Sequence, residues 1–196
     1  LWLGLFLKGA LHYIPHLNRT VDYNLLSEEV SSGFCIIEDK NDHVWYGGPS
    51  GLFLIDKKKA NARPEKISPL RIFNLVQFND SILWAGTRKG SMFQINTRTL
   101  KVTSLPILPH TDLYVTYIYP DSHQRIWIGT DNNGLYVSDR NGSIIASYSK
   151  EQLGSNAIKG IIEDEMNNIW VGAGSGLCCI NPQMENIDRY TTADGL

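Results

Sequence analysis

The residues able to do chemistry in this chain are dispersed rather than gathered. Its five histidines stand at positions 12, 16, 43, 110 and 123. Three cysteines, Cys35, Cys178 and Cys179, are too few for a disulfide framework, and no C-x-x-C pair suggests zinc. Neighbours along a strand face opposite ways, so Cys178 and Cys179 read as small core residues. Carboxylates collect in three turn-like segments: Asp39-Lys40-Asn41-Asp42-His43, Asp121-Ser122-His123-Gln124-Arg125 and Asp164-Glu165-Met166-Asn167-Asn168. A calcium loop needs oxygen ligands at alternate positions, a glycine and a closing Glu, and none of the three has that spacing. They read instead as hairpin turns whose Asp or Asn side chains bond their own backbone. Carboxylate pairs such as Glu163-Asp164 point apart and do not form the acid/base couple of glycoside hydrolysis. Neither a Gly-x-Ser-x-Gly elbow nor a phosphate-binding loop is present. The expectation is a protein without catalytic residues, metal or other cofactor.

Those acidic turns belong to a larger pattern. The five tryptophans, Trp2, Trp45, Trp84, Trp127 and Trp170, lie 43, 39, 43 and 43 residues apart. Each is followed two residues later by glycine: Gly4, Gly47, Gly86, Gly129 and Gly172. A second glycine follows at Gly51, Gly90, Gly134 and Gly176, leading a new strand. An acidic turn precedes Trp45, Trp127 and Trp170; before Trp84 it is replaced by Phe78-Asn79-Asp80-Ser81.

Each period divides into four short strands separated by Asp, Asn, Gly and Pro. A helical apolar stripe is weakly present only around Leu25 to Val30. In Ile169-Trp170-Val171-Gly172 side chains alternate between faces, and both faces are apolar. The same holds for Val44-Trp45-Tyr46-Gly47 and Ile126-Trp127-Ile128-Gly129. Such a strand must be covered on both sides, as in a small sheet packed between two similar sheets, with the glycine leaving room for a neighbour beside the indole. Four-stranded repeats of about 40–45 residues indicate an all-β fold, a β-propeller of antiparallel blades. The expected organisation is a single partial propeller of about four and three-quarter blades: 1–30 (incomplete), 31–69, 70–111, 112–154 and 155–196.

Composition agrees. Apolar residues make up 42% and charged residues 19%, enough for a real core. The net charge of −2, with no basic stripe, argues against a nucleic-acid partner. Leu1 to Leu7 is apolar but lacks the basic start and cleavage site of a signal peptide. It is also far short of the roughly 20 residues that span a bilayer. The chain is therefore expected to begin inside a domain and to make no membrane contact.

The pattern Asp-x-x-x-x-(Ile/Val)-Trp-(Ile/Val)-Gly-x-x-x-Gly-Leu resembles the two-component regulator propeller repeat. It is carried by Ile161-Ile162-Glu163-Asp164 through Ile169-Trp170-Val171-Gly172 to Gly176-Leu177. Ile126-Trp127-Ile128-Gly129 through Gly134-Leu135 carries it too. The ending Tyr190-Thr191-Thr192-Ala193-Asp194-Gly195-Leu196 looks like an inter-blade linker. The turns differ from the sialidase-type Asp-box, whose Ser and Gly are missing. The resemblance implies the periplasmic sensory part of a bacterial hybrid histidine kinase of the Bacteroidetes type, many of which sense oligosaccharides. It also implies a piece of a larger sensor, with the remaining sensor chain as partner. Open blade edges then predict self-association.

Propellers bind ligands where loops converge, and the loops here vary while the strands repeat. The turns between second and third strands read Gly48-Pro49-Ser50, Thr87-Arg88-Lys89, Thr130-Asp131-Asn132-Asn133 and Ala173-Gly174-Ser175. Linkers on the same side carry Arg71, Asn74, Asp112, Tyr114 and Asn156. Amides, cations and tyrosine suit sugars, so Arg71, Asn74, Arg88, Lys89, Tyr114, Asp131, Asn132, Asn133 and Asn156 are the candidate ligand residues. Fold alone does not separate a sensor from a propeller enzyme, such as a polysaccharide lyase or hydrolase, or from a pure interaction scaffold.

Overall fold

The structure, a computed structural model, describes residues 1–5, 9–22, 33–59, 62–87, 90–105 and 113–196. The weak helical stripe at Leu25 to Val30 lies outside them, as do Arg88, Lys89, His110 and Asp112. Among the described residues the chain forms antiparallel sheets in simple up-and-down order. Contacts divide it into two compact units, residues 1–87 with 93–104, and residues 88–92 with 105–196.

The first unit opens with a three-stranded sheet, β1 (Trp2–Leu5), β2 (Gly9–Ile14) and β3 (Arg19–Asp22). A four-stranded sheet follows, β4 (Cys35–Glu38), β5 (His43–Gly48), β6 (Gly51–Asp56) and β7 (Glu65–Ser68). The next holds β8 (Ile72–Asn79), β9 (Ile82–Thr87), β10 (Met92–Asn96) and β11 (Val102–Ser104). The second unit contains β12 (Val115–Pro120), β13 (Ile126–Thr130), β14 (Leu135–Ser138) and β15 (Ile144–Tyr148). A one-turn helix α1 (Lys150–Leu153) leads to β16 (Ile158–Glu163), β17 (Ile169–Ala173), β18 (Gly176–Ile180) and β19 (Ile187–Tyr190). These are propeller blades, and the five tryptophans occupy the equivalent strand of each: β1, β5, β9, β13 and β17.

Packing within each unit follows the alternation of that strand. The face bearing Trp45, Leu52 and Leu54 packs on Ile72, Leu83, Ala85 and Ile95 of the next sheet. The face bearing Trp127, Leu135 and Val137 packs on Ile158, Ile161, Ile169, Val171 and Ile180. Trp2 packs likewise against Val44, Tyr46, Phe53 and Ile55. The faces bearing Trp2, Trp45 and Trp127 are thus each closed by the opposite face of the sheet that follows. Trp45 and Trp127 are fully buried. The two-sided burial expected of this strand holds for β5 and β13 and fails for β17. There Ile169, Val171 and Ala173 are buried while Trp170 and Gly172 are half-exposed. On that face Ile162 (61% exposed) and Tyr190 are also open.

Candidate functional site

The acidic turns are built alike, and they explain the spacing from Asp to Trp. Asp121 Oδ1 accepts the backbone N–H groups of His123 (3.0 Å) and Arg125 (2.8 Å). Its Oδ2 accepts the Trp127 indole N–H (2.8 Å) and Arg125 Nε. Asp39 does the same for Asn41, His43 and Trp45, and Asp164 for Met166, Asn168 and Trp170. The fourth residue of each turn, Asp42, Gln124 or Asn167, takes a left-handed conformation with φ of 65°, 62° or 63°. That residue folds the chain back so that a carboxylate reaches an indole six positions on. Hydrogen bonds from Trp170 first, then Asn168, hold the Asp164 carboxyl down at about 2. With both oxygens engaged, these carboxylates are pins for the tryptophans. In the third repeat Phe78 stands six residues before Trp84, and the buried Trp84 Nε1 has no partner among the described residues.

The glycine two residues after tryptophan admits the first strand of the following sheet. A Cβ on Gly129 would lie 2.7 Å from Ile158 Cγ2, and one on Gly47 would lie 2.6 Å from Ile72 Cγ2. Gly172, on the uncovered face, would meet nothing nearer than 3.7 Å. Gly86 is buried in β9. Side-chain positions along β8, β12 and β16 are re-aimed by a register shift after Ile72, Val115 and Ile158. Thr116, at one of these shifts, donates to the Ile158 carbonyl (2.8 Å).

At the other end of these strands, within the second unit, lies an open cleft of about 330 Å³. It is lined by Asn132, Asn133, Tyr136, Ser147, Tyr148, Ser149, Gln152 and Asn156. One wall is the β13–β14 turn. Thr130 Oγ1 donates to the Gly134 carbonyl (2.7 Å) and accepts from the Asn133 N–H (3.0 Å), so the turn is braced from inside. Gly134 has φ of +78°, and a Cβ there would meet the Tyr148 carbonyl at 2.1 Å, so only glycine fits. The other wall is the β15–β16 connection, where the Ser149 N–H bonds Gln152 Oε1 (2.9 Å) in a capping box that starts α1. The Gly134 N–H donates to the Asn156 carbonyl (2.9 Å) and ties the two walls together. Tyr148 stacks on Trp127, ring centroids 6.1 Å apart, which anchors the cleft to the core. Burial pushes the Tyr136 and Tyr148 phenols up, so both stay protonated donors. Asn156 Oδ1 is buried with no hydrogen-bond partner among the described residues.

Of the candidate ligand residues, Asn132, Asn133 and Asn156 come together in this cleft. Asp131 instead pairs with Lys159 (3.3 Å), and its N–H bonds the Tyr114 carbonyl (3.0 Å), leaving the Tyr114 ring partly exposed. Arg71 is exposed and Asn74 is half-buried on β8, both in the first unit. Tyr136, Ser147, Tyr148, Ser149 and Gln152 complete the cleft, and the Ser149-x-x-Gln152 spacing of a capping box is the signal that marks their segment in the sequence. Among the described residues no group of three or more His, Cys, Asp and Glu could hold a metal ion. No helix among them is long and apolar enough to cross a membrane.

The family model described as "two component regulator propeller" matches residues 110–132, which span β12, the Asp121 turn, β13 and the start of the cleft wall. Histidine kinase P4 of Formosa agariphila is 24% identical over 244 aligned positions, covering 92% of this chain and 18% of the kinase. The extracellular domain of BT4673 from B. thetaiotaomicron superposes with a TM-score of 0.69 at 23% identity, over 84% of this chain and 25% of that one. PorZ, a bacterial surface component of the type-IX secretion system of Porphyromonas gingivalis, gives 0.73 at 17% identity, over 93% of this chain and 30% of that one. The chain thus spans less than a third of each of these relatives. The β-propeller domain of Cps50 (Swd1) from Myceliophteria thermophila gives 0.69 at 14% identity, over 93% of this chain and 62% of that one, a likeness of fold that agrees with the blades described above. The matched segment carries the Asp121 pin on Trp127, and the same pin recurs at Asp39 and Asp164, so the feature on which this chain is similar to the two-component regulator propeller model is repeated along it.

Proposed function

We propose that this chain is part of the ligand-receiving propeller of an extracytoplasmic two-component sensor, located in the periplasm and joined to a histidine kinase in the parent protein. The observation that carries the reading is the regulator-propeller match on residues 110–132, the segment that ends at the start of one wall of the polar cleft. The similarity to Histidine kinase P4 supports it, as does the likeness to an extracellular domain designated a one-component system in one structure and a hybrid two-component system in another. An oligosaccharide is the proposed signal, because hydroxyl-rich ligands suit a cleft of amides, hydroxyls and tyrosines. The propeller binds this signal and leaves it unchanged. No acidic residue is among the described cleft residues, so the cleft offers no carboxyl group for glycoside hydrolysis.

The test uses the parent protein in membrane vesicles, with autophosphorylation followed while oligosaccharides are added. Phosphorylation that responds to a saccharide recovered intact supports the reading. Shortened saccharide would assign an enzyme instead, and a kinase indifferent to every glycan would assign a scaffold.

A further inference from the structure

We infer that the cleft between the β13–β14 turn and the β15–β16 connection is a subsite for one uncharged sugar ring, with Asn156 taking one of its hydroxyls. The inference rests on the reading of the chain as a ligand-receiving propeller and adds a place and a chemical class to it.

Three observations converge. The first is the lining: three asparagines, a glutamine, two serines and two tyrosines, all uncharged. A desolvated carboxylate or sulfate needs a cation beside it. Lys159, on the neighbouring strand β16, is already paired with Asp131. A ligand with hydroxyls on several sides matches amides and hydroxyls that both donate and accept. The second is size. At about 330 Å³ the cleft sits at the lower end of the range for small-molecule sites, which fits a single ring of a longer chain better than a whole oligosaccharide. The third is the orphaned buried atom. A buried polar atom without a partner is costly in the free protein, and a ligand hydroxyl removes that cost. The assignment survives an exchange of the amide oxygen and nitrogen, because a hydroxyl can donate to one or accept from the other. The site is also preorganised: Thr130 braces one wall, the capping box starts the other, and the Gly134–Asn156 hydrogen bond sets the distance between them. Less ordering on binding means more of the contact energy appears as affinity.

The test is a titration of the isotopically labelled chain, read by amide NMR, with maltose, cellobiose and xylobiose as neutral probes and digalacturonate as the charged one. The expected result is saturable shifts for a neutral disaccharide at the side-chain amides of Asn132, Asn133, Gln152 and Asn156. Digalacturonate should leave them unmoved. Asn156→Ala should weaken binding roughly tenfold, the effect of one lost hydrogen bond. Its melting temperature should stay the same or rise, because the substitution removes an unsatisfied buried oxygen; a residue with a merely structural role would lower it. Shifts that map away from the cleft would overturn the subsite while leaving the sensor reading intact. Binding of digalacturonate alone in the cleft would overturn the neutral class. Silence toward all four probes would overturn the subsite, and the vesicle assay would still decide the sensor reading.

Discussion

Gly129→Ala and Gly172→Ala make the same chemical change at equivalent positions of adjacent sheets, and their effects should differ in sign. At Gly129 the new methyl would lie 2.7 Å from Ile158 Cγ2, 3.0 Å from Ile158 Cβ and 3.4 Å from Tyr117 Cβ. Carbon atoms settle at about 3.5–4.0 Å, so the sheets must part by nearly 1 Å. Ile158 cannot swing aside: it is fully buried, β-branched and held in register with Ala173. Its sheet must shift against the Trp127 face, and overpacking of this kind costs about 1–3 kcal/mol. With both nearest contacts on one stiff residue, the upper part of that range, about 2–3 kcal/mol, is expected. For a domain of this size that corresponds to a fall in Tm of roughly 4–12 °C. At Gly172 the nearest atoms lie at 3.7 and 3.8 Å, an ordinary contact. Alanine there should be neutral or stabilising by up to about 1 kcal/mol through the less flexible unfolded chain. Urea melts with a common m-value measure both, and Ile158→Ala in the Gly129→Ala background should recover part of the loss as a coupling energy. Equal destabilisation at the two positions would refute the account of the glycine as a port for the next sheet.

The tryptophans should separate in the same way. Trp127→Ala is expected to cost about 3–5 kcal/mol, as for large buried aromatics, and Trp170→Ala about half of that, because Trp127 is fully buried and Trp170 only partly. Denaturant melts will show equal losses if the exposed face is covered in solution. Asp164 holds its carboxyl near 2, below its ordinary 3.8. Its contribution to stability is therefore fully present above pH 4 and is lost as the pH falls through 2. Midpoints measured from pH 5 to 2 should lose part of this slope in Asp164→Asn, and an unchanged slope would contradict the pin. The open face of Ile162, Trp170 and Tyr190 predicts association that grows with concentration. Light scattering should see that association abolished by Ile162→Lys, and a wild-type monomer at every concentration would count against it.

The blades were legible because tryptophan and glycine recur at a period that only a four-stranded sheet fits. Two features were not. Sequence alone marks Asp39, Asp121 and Asp164 as turn formers bonded to their own backbone. They are, but the second oxygen of each reaches an indole six residues on, and that reach depends on a left-handed residue no composition signal marks. Gln124 in that conformation is the least expected of the three, since Asn and Asp are the residue types enriched there. The cleft was half legible. Its asparagines sit in turns and looked available, whereas Tyr136 and Tyr148 sit in strands and looked like core, which in part they are. The half-exposure of Trp170 is not marked in its own strand, which carries the same pattern as its buried counterparts.

The Asp121 pin and the cleft occupy opposite ends of β13, a strand of five residues, roughly 17 Å of extended chain. That separation divides labour within a single hairpin. Every hydrogen bond accepted by the Asp121 carboxylate closes within six residues. The turn at the far end can then change its sequence without disturbing it, since substitutions so far apart with no shared partners act nearly independently. Copies of this blade can therefore be duplicated and their far-end turns rewritten one at a time, each new turn offering a different set of polar groups to solvent. A scaffold that locks its hairpins from below is free to explore ligands from above.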